Sequence, residues 1–234
     1  SKTIFADKNL VAALEQKNGK VQKWQQLVIS GKDISSLKGM EECIELQLLD
    51  VSINEIDKIK PICLLPKLRV LKAQRNPFID FASLKTLHGL EVLYLGGTWV
   101  DYDVGELTLE SFGPAFGPTV NSRMLKHLVP LKNLHTLHLY NHGLTSLTQL
   151  QELPTLRELV LNNGDSTVNL ATMVGKSKLV HIQLLHTAFS SLKSLRAMGS
   201  LEKLTIEGLS KKRMSEIEPQ IEKLETDGLE VKIC

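Results

Sequence analysis

Aliphatic residues recur in phase along this chain. A segment of the form L-x-x-L-x-L appears as Trp24-Leu27-Ile29, Leu46-Leu49-Val51, Leu68-Leu71-Ala73 and Leu90-Leu93-Leu95, each opening 22 residues after the last. It resumes as Leu134-Leu137-Leu139, Leu156-Leu159-Leu161, Leu179-Ile182-Leu184 and Leu201-Leu204-Ile206, with steps of 22, 23 and 22. A period held this long is an internal repeat. The alternation at the end of each segment predicts a short strand with one buried face. Behind it come apolar residues three apart, as in Leu144, Leu147, Leu150, Leu153 and in Ile56, Ile59, Ile62, Leu65. That spacing predicts a tight return of three residues per turn with one face inward.

A single unit of this kind cannot hide its own leucines. Neighbours on both sides bury them, each fully buried Leu contributing roughly 1.5–3 kcal/mol. The strands then align as a parallel sheet, and the wider back layer bends it. The expected fold class is α/β: a right-handed solenoid with a curved parallel sheet on its concave face. Its open ends require caps. Residues 1–23 are expected to form a helical N-cap, with a helix from Asp7 to Lys17, Asp7 at its N-terminus, Leu10, Val11 and Leu14 inward and Gly19 as the stop. Residues 24–209 are the repeats. Residues 210–234 are expected to close the far end with a helix over Ser215–Leu224, Pro219 in its first turns, a turn at Asp227-Gly228, and a strand carrying Leu229, Val231 and Ile233.

The step from Leu90 to Leu134 is double, at 44 residues. Leu125, Leu128 and Leu131 keep phase before Leu134, so the surplus falls at about Asp101–Ser122. Phe112-Gly113-Pro114 and Phe116-Gly117-Pro118 favour a folded insertion over a degenerate repeat. With Trp99, Tyr102, Phe112 and Phe116 in or beside it, the insertion is either a binding loop or a flank packed on the solenoid.

The repeat resembles the leucine-rich-repeat family, in the 22-residue class of bacterial internalins and SDS22-like proteins, over about residues 24 to 233. That family places Asn at the ninth position of the repeat. Asn54 and Asn76 keep it, whereas Lys32, Thr98, His142, Gly164, Thr187 and Leu209 replace it. The segment from Phe5 to Leu14 is similar to the helical N-cap of internalin-like proteins. An internalin-like identity implies a bacterial surface or secreted protein that binds another protein. An SDS22-like identity implies a cytoplasmic regulatory subunit bound to an enzyme.

Composition narrows the chemistry. Hydrophobic residues make up 42% and charged residues 23%, which is globular. The 28 basic and 26 acidic residues leave a net charge of +2, which gives no ground for nucleic acid as a partner. No apolar run approaches a membrane span, the start lacks a signal-peptide core, and a monomer is expected. Three cysteines, Cys43, Cys63 and Cys234, do not make a disulfide framework. There is no Gly-rich phosphate loop, no G-x-S-x-G, no H-E-x-x-H and no Cys-x-x-Cys, so no catalytic residue, cofactor or metal is assigned. His135, His138, His142, His181 and His186 fall on or near the strands and leave a metal or enzyme site there as an alternative.

The solvent-facing strand positions carry the expected function, a protein-protein interaction surface without catalysis. The candidate partner-binding residues are Arg69, Lys72, Arg75, Tyr94, His135, His138, Tyr140, Asn141, Arg157 and Asn162. Tyr beside Arg and His is a composition favoured at interfaces. Leu48, Ile53, Val70, Val92, Val160, Val180 and Leu185 share the same wall, where exposed aliphatics suggest a partner surface; the alternative is that an edge segment or the insertion folds over them.

Overall fold

A computed structural model of the chain describes residues 5–15, 17–78, 80–97 and 120–234. The chain divides into two units, Ser1–Thr119 and Val120–Cys234. Thr98, Trp99, Tyr102, Phe112, Phe116 and the question of an insertion against a degenerate repeat lie outside the described residues.

The first unit opens with α1 (Lys8–Glu15), which buries Leu10 and Leu14. Asp7 caps it as expected: one carboxylate oxygen accepts the Asn9 and Leu10 N–H groups at 2.8 and 3.0 Å. The other oxygen accepts the Ser35 and Ser36 N–H groups and the Ser35 hydroxyl, tying the cap to the first repeat. Burial opposes ionisation of Asp7, but these hydrogen bonds outweigh it and bring its pKa to about 2.

Four strands follow: β1 (Gln26–Val28), β2 (Leu48–Asp50), β3 (Val70–Lys72) and β4 (Val92–Gly96). All pair in parallel, with Leu27 opposite Leu49, Leu49 opposite Leu71 and Leu71 opposite Leu93. The pairing register therefore equals the sequence period, and each inward leucine stacks on its equivalent. The returns contain 3-10 turns at Met40–Glu42, Lys60–Ile62 and Phe81–Thr86. Their three-residue pitch brings Ile56, Ile59, Ile62 and Leu65 to the same buried side.

In the second unit, a two-residue strand β5 (Val120–Asn121) pairs with β7 (His142–Gly143), 22 residues on. The main sheet holds β6 (Thr136–Tyr140), β8 (Glu158–Asn162), β9 (His181–Leu185), β10 (Lys203–Glu207) and β11 (Glu230–Ile233), all parallel. Of the inward template positions in both units, all are buried except Trp24 and Leu201, which are half-buried at the first and last repeats.

Between β10 and β11 runs α2 (Lys211–Thr226), longer than the helix expected from the sequence. Ser210 caps it by accepting the Arg213 N–H, and Pro219 lies at mid-helix rather than in the first turns. Three cations in the first turn oppose the helix dipole and disguise this start. Arg213 offsets the conflict by turning to the carbonyls of Phe189 and Ser190 and lying 5.3 Å from the Phe189 ring centroid. Ile217, Ile221 and Leu224 face inward at helical spacing.

Candidate functional site

The strand template fixes which side chains face away from the interior. In L-x-x-L-x-L the third and fifth residues do so, because successive strand residues alternate. In the first unit the third positions are Gln26, Leu48, Val70 and Val92, aligned side by side across the strands. The fifth positions are Val28, Asp50, Lys72 and Tyr94. Val28 is 58% exposed, and Leu48, Val70 and Val92 are half-exposed. The polar groups among them are engaged locally. Lys72 Nζ stands 5.3 Å from the Tyr94 ring centroid. Asp50 accepts the Ser52 N–H and hydroxyl at 3.0 and 2.6 Å. Arg69, at the strand entry, is paired with Glu91.

The eighth residue of each repeat turns the chain off the sheet, and its backbone is left-handed at Gly31, Ile53, Arg75, Asn141, Asn163, His186 and Gly208. Its N–H continues the ladder, as in Ile53 to Gln74 O and Asn141 to Asn162 O. Glycine and asparagine adopt this conformation readily, and histidine tolerates it. Arginine does so at a cost, and a β-branched residue at a larger one, about 1–2 kcal/mol. Ile53 has φ 56° and is 48% exposed, so burial does not repay that cost. Ile53 and Arg75 occupy equivalent positions in adjacent repeats, at the exits of β2 and β3.

The ninth residue points back under the turn. Asn54 accepts the Lys32 and Ile34 N–H groups and donates to the carbonyls of Ile29, Val51 and Ser52. Asn76 repeats the pattern one unit on, with Ile56 N–H and the carbonyls of Val51, Ala73 and Gln74.

In the second unit His142 takes this place and is wholly buried. It is not part of the outward histidine set that the sequence grouped together. The Leu144 N–H points at its Nδ1 at 3.4 Å, which assigns the proton to Nε2, 3.3 Å from Thr187 Oγ1. Thr187 is the ninth residue two repeats later, and the ninth residue between them is Gly164. A Cβ on Gly164 would lie 2.5 Å from His142 Cε1, so the glycine leaves the slot that the imidazole fills. Burial drives the His142 pKa down to about 4, against a smaller opposing pull from Asp165.

The outward face of the second unit is mostly polar and internally paired, with Leu185 half-exposed at the exit of β9. Gln183 donates to Glu158 at 3.0 Å, His181 meets Thr205 at 3.0 Å, and Lys203 pairs with Glu230 at 2.6 Å. Val160, expected to be an exposed aliphatic, is 3% exposed. Its cross-strand neighbours are His138 and Gln183. Burial lowers the His181 pKa despite the nearby Glu158.

The sequence candidates divide accordingly. In the first unit, Lys72 and Tyr94 come together on the face, Arg69 sits at the entry and Arg75 at the exit. In the second, His138 and Tyr140 stack at 6.4 Å, and Asn162 lies opposite Tyr140. Asn141 accepts from Asn163 at the exit, and exposed His135 meets Thr136 Oγ1 at the entry. Arg157 turns back onto the carbonyls of Pro154 and Leu156. Val28 was not singled out from the sequence, although its place as the first fifth-position residue marks it. Among the described residues, no three His, Cys, Asp or Glu side chains converge as a metal-binding group, and no helix is long and apolar enough to cross a membrane.

No protein-family model and no curated protein matches the chain. Solved structures do. The internalin inlF of Listeria monocytogenes superposes with a TM-score of 0.67 at 21% identity, covering 87% of this chain and 57% of that one. The internalin C2 (inlC2) of the same organism gives a TM-score of 0.67 at 16% identity, covering 99% and 95%. A leucine-rich-repeat protein of Leptospira interrogans gives 0.52 at 19% identity, covering 85% and 54%. The stacked parallel strands, the three-per-turn returns and these superpositions agree: in fold, the chain is a leucine-rich-repeat protein of internalin-like architecture.

Proposed function

We propose that the chain is a protein-interaction module that holds a partner protein against the outward face of its sheet. On this reading it is an internalin-like protein of a bacterial surface or secretome. The observation that carries the reading is Ile53, an exposed β-branched side chain kept in a left-handed conformation. Folding alone favours Gly or Asn at that place, as four equivalent positions of the same chain show (Gly31, Asn141, Asn163 and Gly208). Backbone strain of this kind clusters where ligands are held. Leu48, Val70 and Val92 form a row across the strands, Lys72 and Tyr94 add a cation and an aromatic ring two residues further along, and Ile53 and Arg75 stand at the exits of their strands. A patch of open aliphatics next to Tyr, Lys and Arg has the make-up of an interface centre.

The test is photo-crosslinking. A benzophenone amino acid replaces Val70 in one variant and the exposed Lys85 in another, and each is irradiated in extracts of the source organism and of a host. The expected result is a discrete adduct from position 70 that is absent from position 85 and competed away by excess unmodified chain but not by the Ile53→Asp variant. Equal adducts from both positions, or competition by Ile53→Asp as strong as by the native chain, overturn the reading.

A further inference from the structure

Asparagine or aspartate precedes glycine at three places: Asn18-Gly19, Asn163-Gly164 and Asp227-Gly228. Glycine carries no side chain to shield its own nitrogen, so in such a pair that nitrogen reaches the preceding Cγ most easily. The structure separates the three. At the second, the Gly164 N–H donates to His186 O at 3.3 Å, the Asn163 carboxamide donates to Asn141 Oδ1 at 2.5 Å, and Asn163 is left-handed at φ 55°. At the third, the Gly228 N–H donates to Glu225 O. The Asp227 carboxyl is held below its ordinary pKa, chiefly by the hydrogen bond from Arg196, and an ionised carboxylate does not accept a nucleophile.

At the first, both reacting groups are open. Asn18 and Gly19 are exposed, and among the described residues neither the Asn18 carboxamide nor the Gly19 N–H has a hydrogen-bond partner. The bond that does form is on the carbonyl between them: the Trp24 indole N–H donates to Asn18 O at 3.0 Å. When the Gly19 nitrogen loses its proton, the charge spreads onto that oxygen, so a donor placed there favours the anion. The exposed cations Lys17 and Lys20 flank the pair and favour it too.

We propose that Asn18 is a site of self-modification, where the Gly19 nitrogen attacks the Asn18 carboxamide without an enzyme and with water as the co-reactant. The Gly19 N–H gives its proton to hydroxide. The nitrogen bonds to Asn18 Cγ, the Cγ–Nδ2 bond breaks, and Nδ2 leaves as ammonia after taking a proton from water. Water then opens the five-membered imide. Opening at the side-chain carbonyl leaves an aspartate. Opening at the main-chain carbonyl leaves an isoaspartate, with one more carbon in the main chain. The balance is one water in and one ammonia out, with no oxidation. Either product sets a carboxylate between Lys17 and Lys20, in the link from α1 to the first repeat, and the isoaspartate also moves the carbonyl that holds Trp24. Because the reaction needs only water, its extent records how long the folded chain has stood.

The test is incubation of the native chain at neutral and mildly alkaline pH. It is followed by peptide mapping in a mass spectrometer and by methyl transfer from an isoaspartyl methyltransferase. The expected result is ammonia release and isoaspartate at position 18, at a rate rising with hydroxide, while positions 163 and 227 stay unmodified. In denaturant, where the fold no longer protects it, position 163 is expected to react as well. Trp24→Phe removes the indole donor and is expected to slow the reaction at position 18 about fivefold, the worth of one hydrogen bond. A mere loosening of the link would speed the reaction instead, so the direction of the change isolates the hydrogen bond. Equal modification of positions 18 and 163 in the folded chain overturns the proposal. So does a folded chain that stays intact at position 18 while the denatured chain reacts there, or a rate unchanged or raised in Trp24→Phe.

Discussion

The first and second units build their outward faces from the same template and arrive at opposite surfaces. In the first, Leu48, Val70 and Val92 line up with Val28 open beside them, and Ile53 is held in a conformation that costs stability. In the second, Glu158, Gln183, His181, Thr205, Lys203 and Glu230 pair among themselves, and the aliphatic Val160 is buried. Folding demands only that the inward leucines stack, so the outward residues are free to differ. A surface already satisfied by its own partners gains little from a new one. A surface of half-exposed aliphatics with built-in strain gains more.

The inner column differs as well, and it offers the largest way to break the comparison. Asn54 satisfies buried backbone groups of two repeats. Asn54→Ala is expected to destabilise the first unit by about 3 kcal/mol or more, since several buried groups lose their partner at once. Hydrogen exchange should locate the loss in residues 26–78 and leave the second unit protected.

Acid should act on the other unit. His142 has a folded pKa of about 4, below its ordinary 6.5, so the unfolded chain takes up the proton more readily between those values. The neutral imidazole's contribution is complete above about pH 6.5 and is lost as pH falls toward 4, amounting to about 3 kcal/mol. Denaturant titrations across this range are expected to show the decline in the native chain and a flatter profile in His142→Gln. A native profile that is flat in the second unit would rule out the buried neutral imidazole.

A smaller effect isolates the shared slot. Gly164→Ala is expected to destabilise by about 2 kcal/mol through overpacking against His142. In a His142→Ala background the same change should be close to neutral, which a double-mutant cycle reads directly. Smallest is Ile53→Gly, expected to raise stability by about 1 kcal/mol by removing left-handed strain, while weakening partner capture. Asn163→Gly at the equivalent place in the second unit should change stability little. Thermal melts of the two variants compare them.

The period of the repeat predicted the strand register residue by residue, because parallel stacking leaves a leucine no partner except its equivalent one repeat away. The capping role of Asp7 was legible from its place before an apolar helical face. Three features were not legible, for separate reasons. The burial of Val160 is a property of the assembled sheet, where its neighbours come from other strands, His138 on one side and Gln183 on the other. The start of α2 at Ser210 was masked by Lys211, Lys212 and Arg213, whose charges argue against a helix N-terminus until the acceptors of Arg213 are known. The strain at Ile53 is a backbone angle, and a hydrophobicity pattern records only that the position is aliphatic. His142 is intermediate: its ninth position in the repeat marked it as an asparagine substitute, but its side chain also fitted a surface histidine cluster.

Asn54 reaches back to Ile29 O and Asn76 reaches back to Val51 O, each 25 residues upstream. The two contacts are interchangeable. Excising residues 46–67 as a block would bring Asn76 to the Ile29 carbonyl, with Leu71 on Leu27 where Leu49 had been. The scaffold can thus be shortened or lengthened by whole coils without redesigning a single junction, whereas losing one residue from a strand would turn its leucines to water.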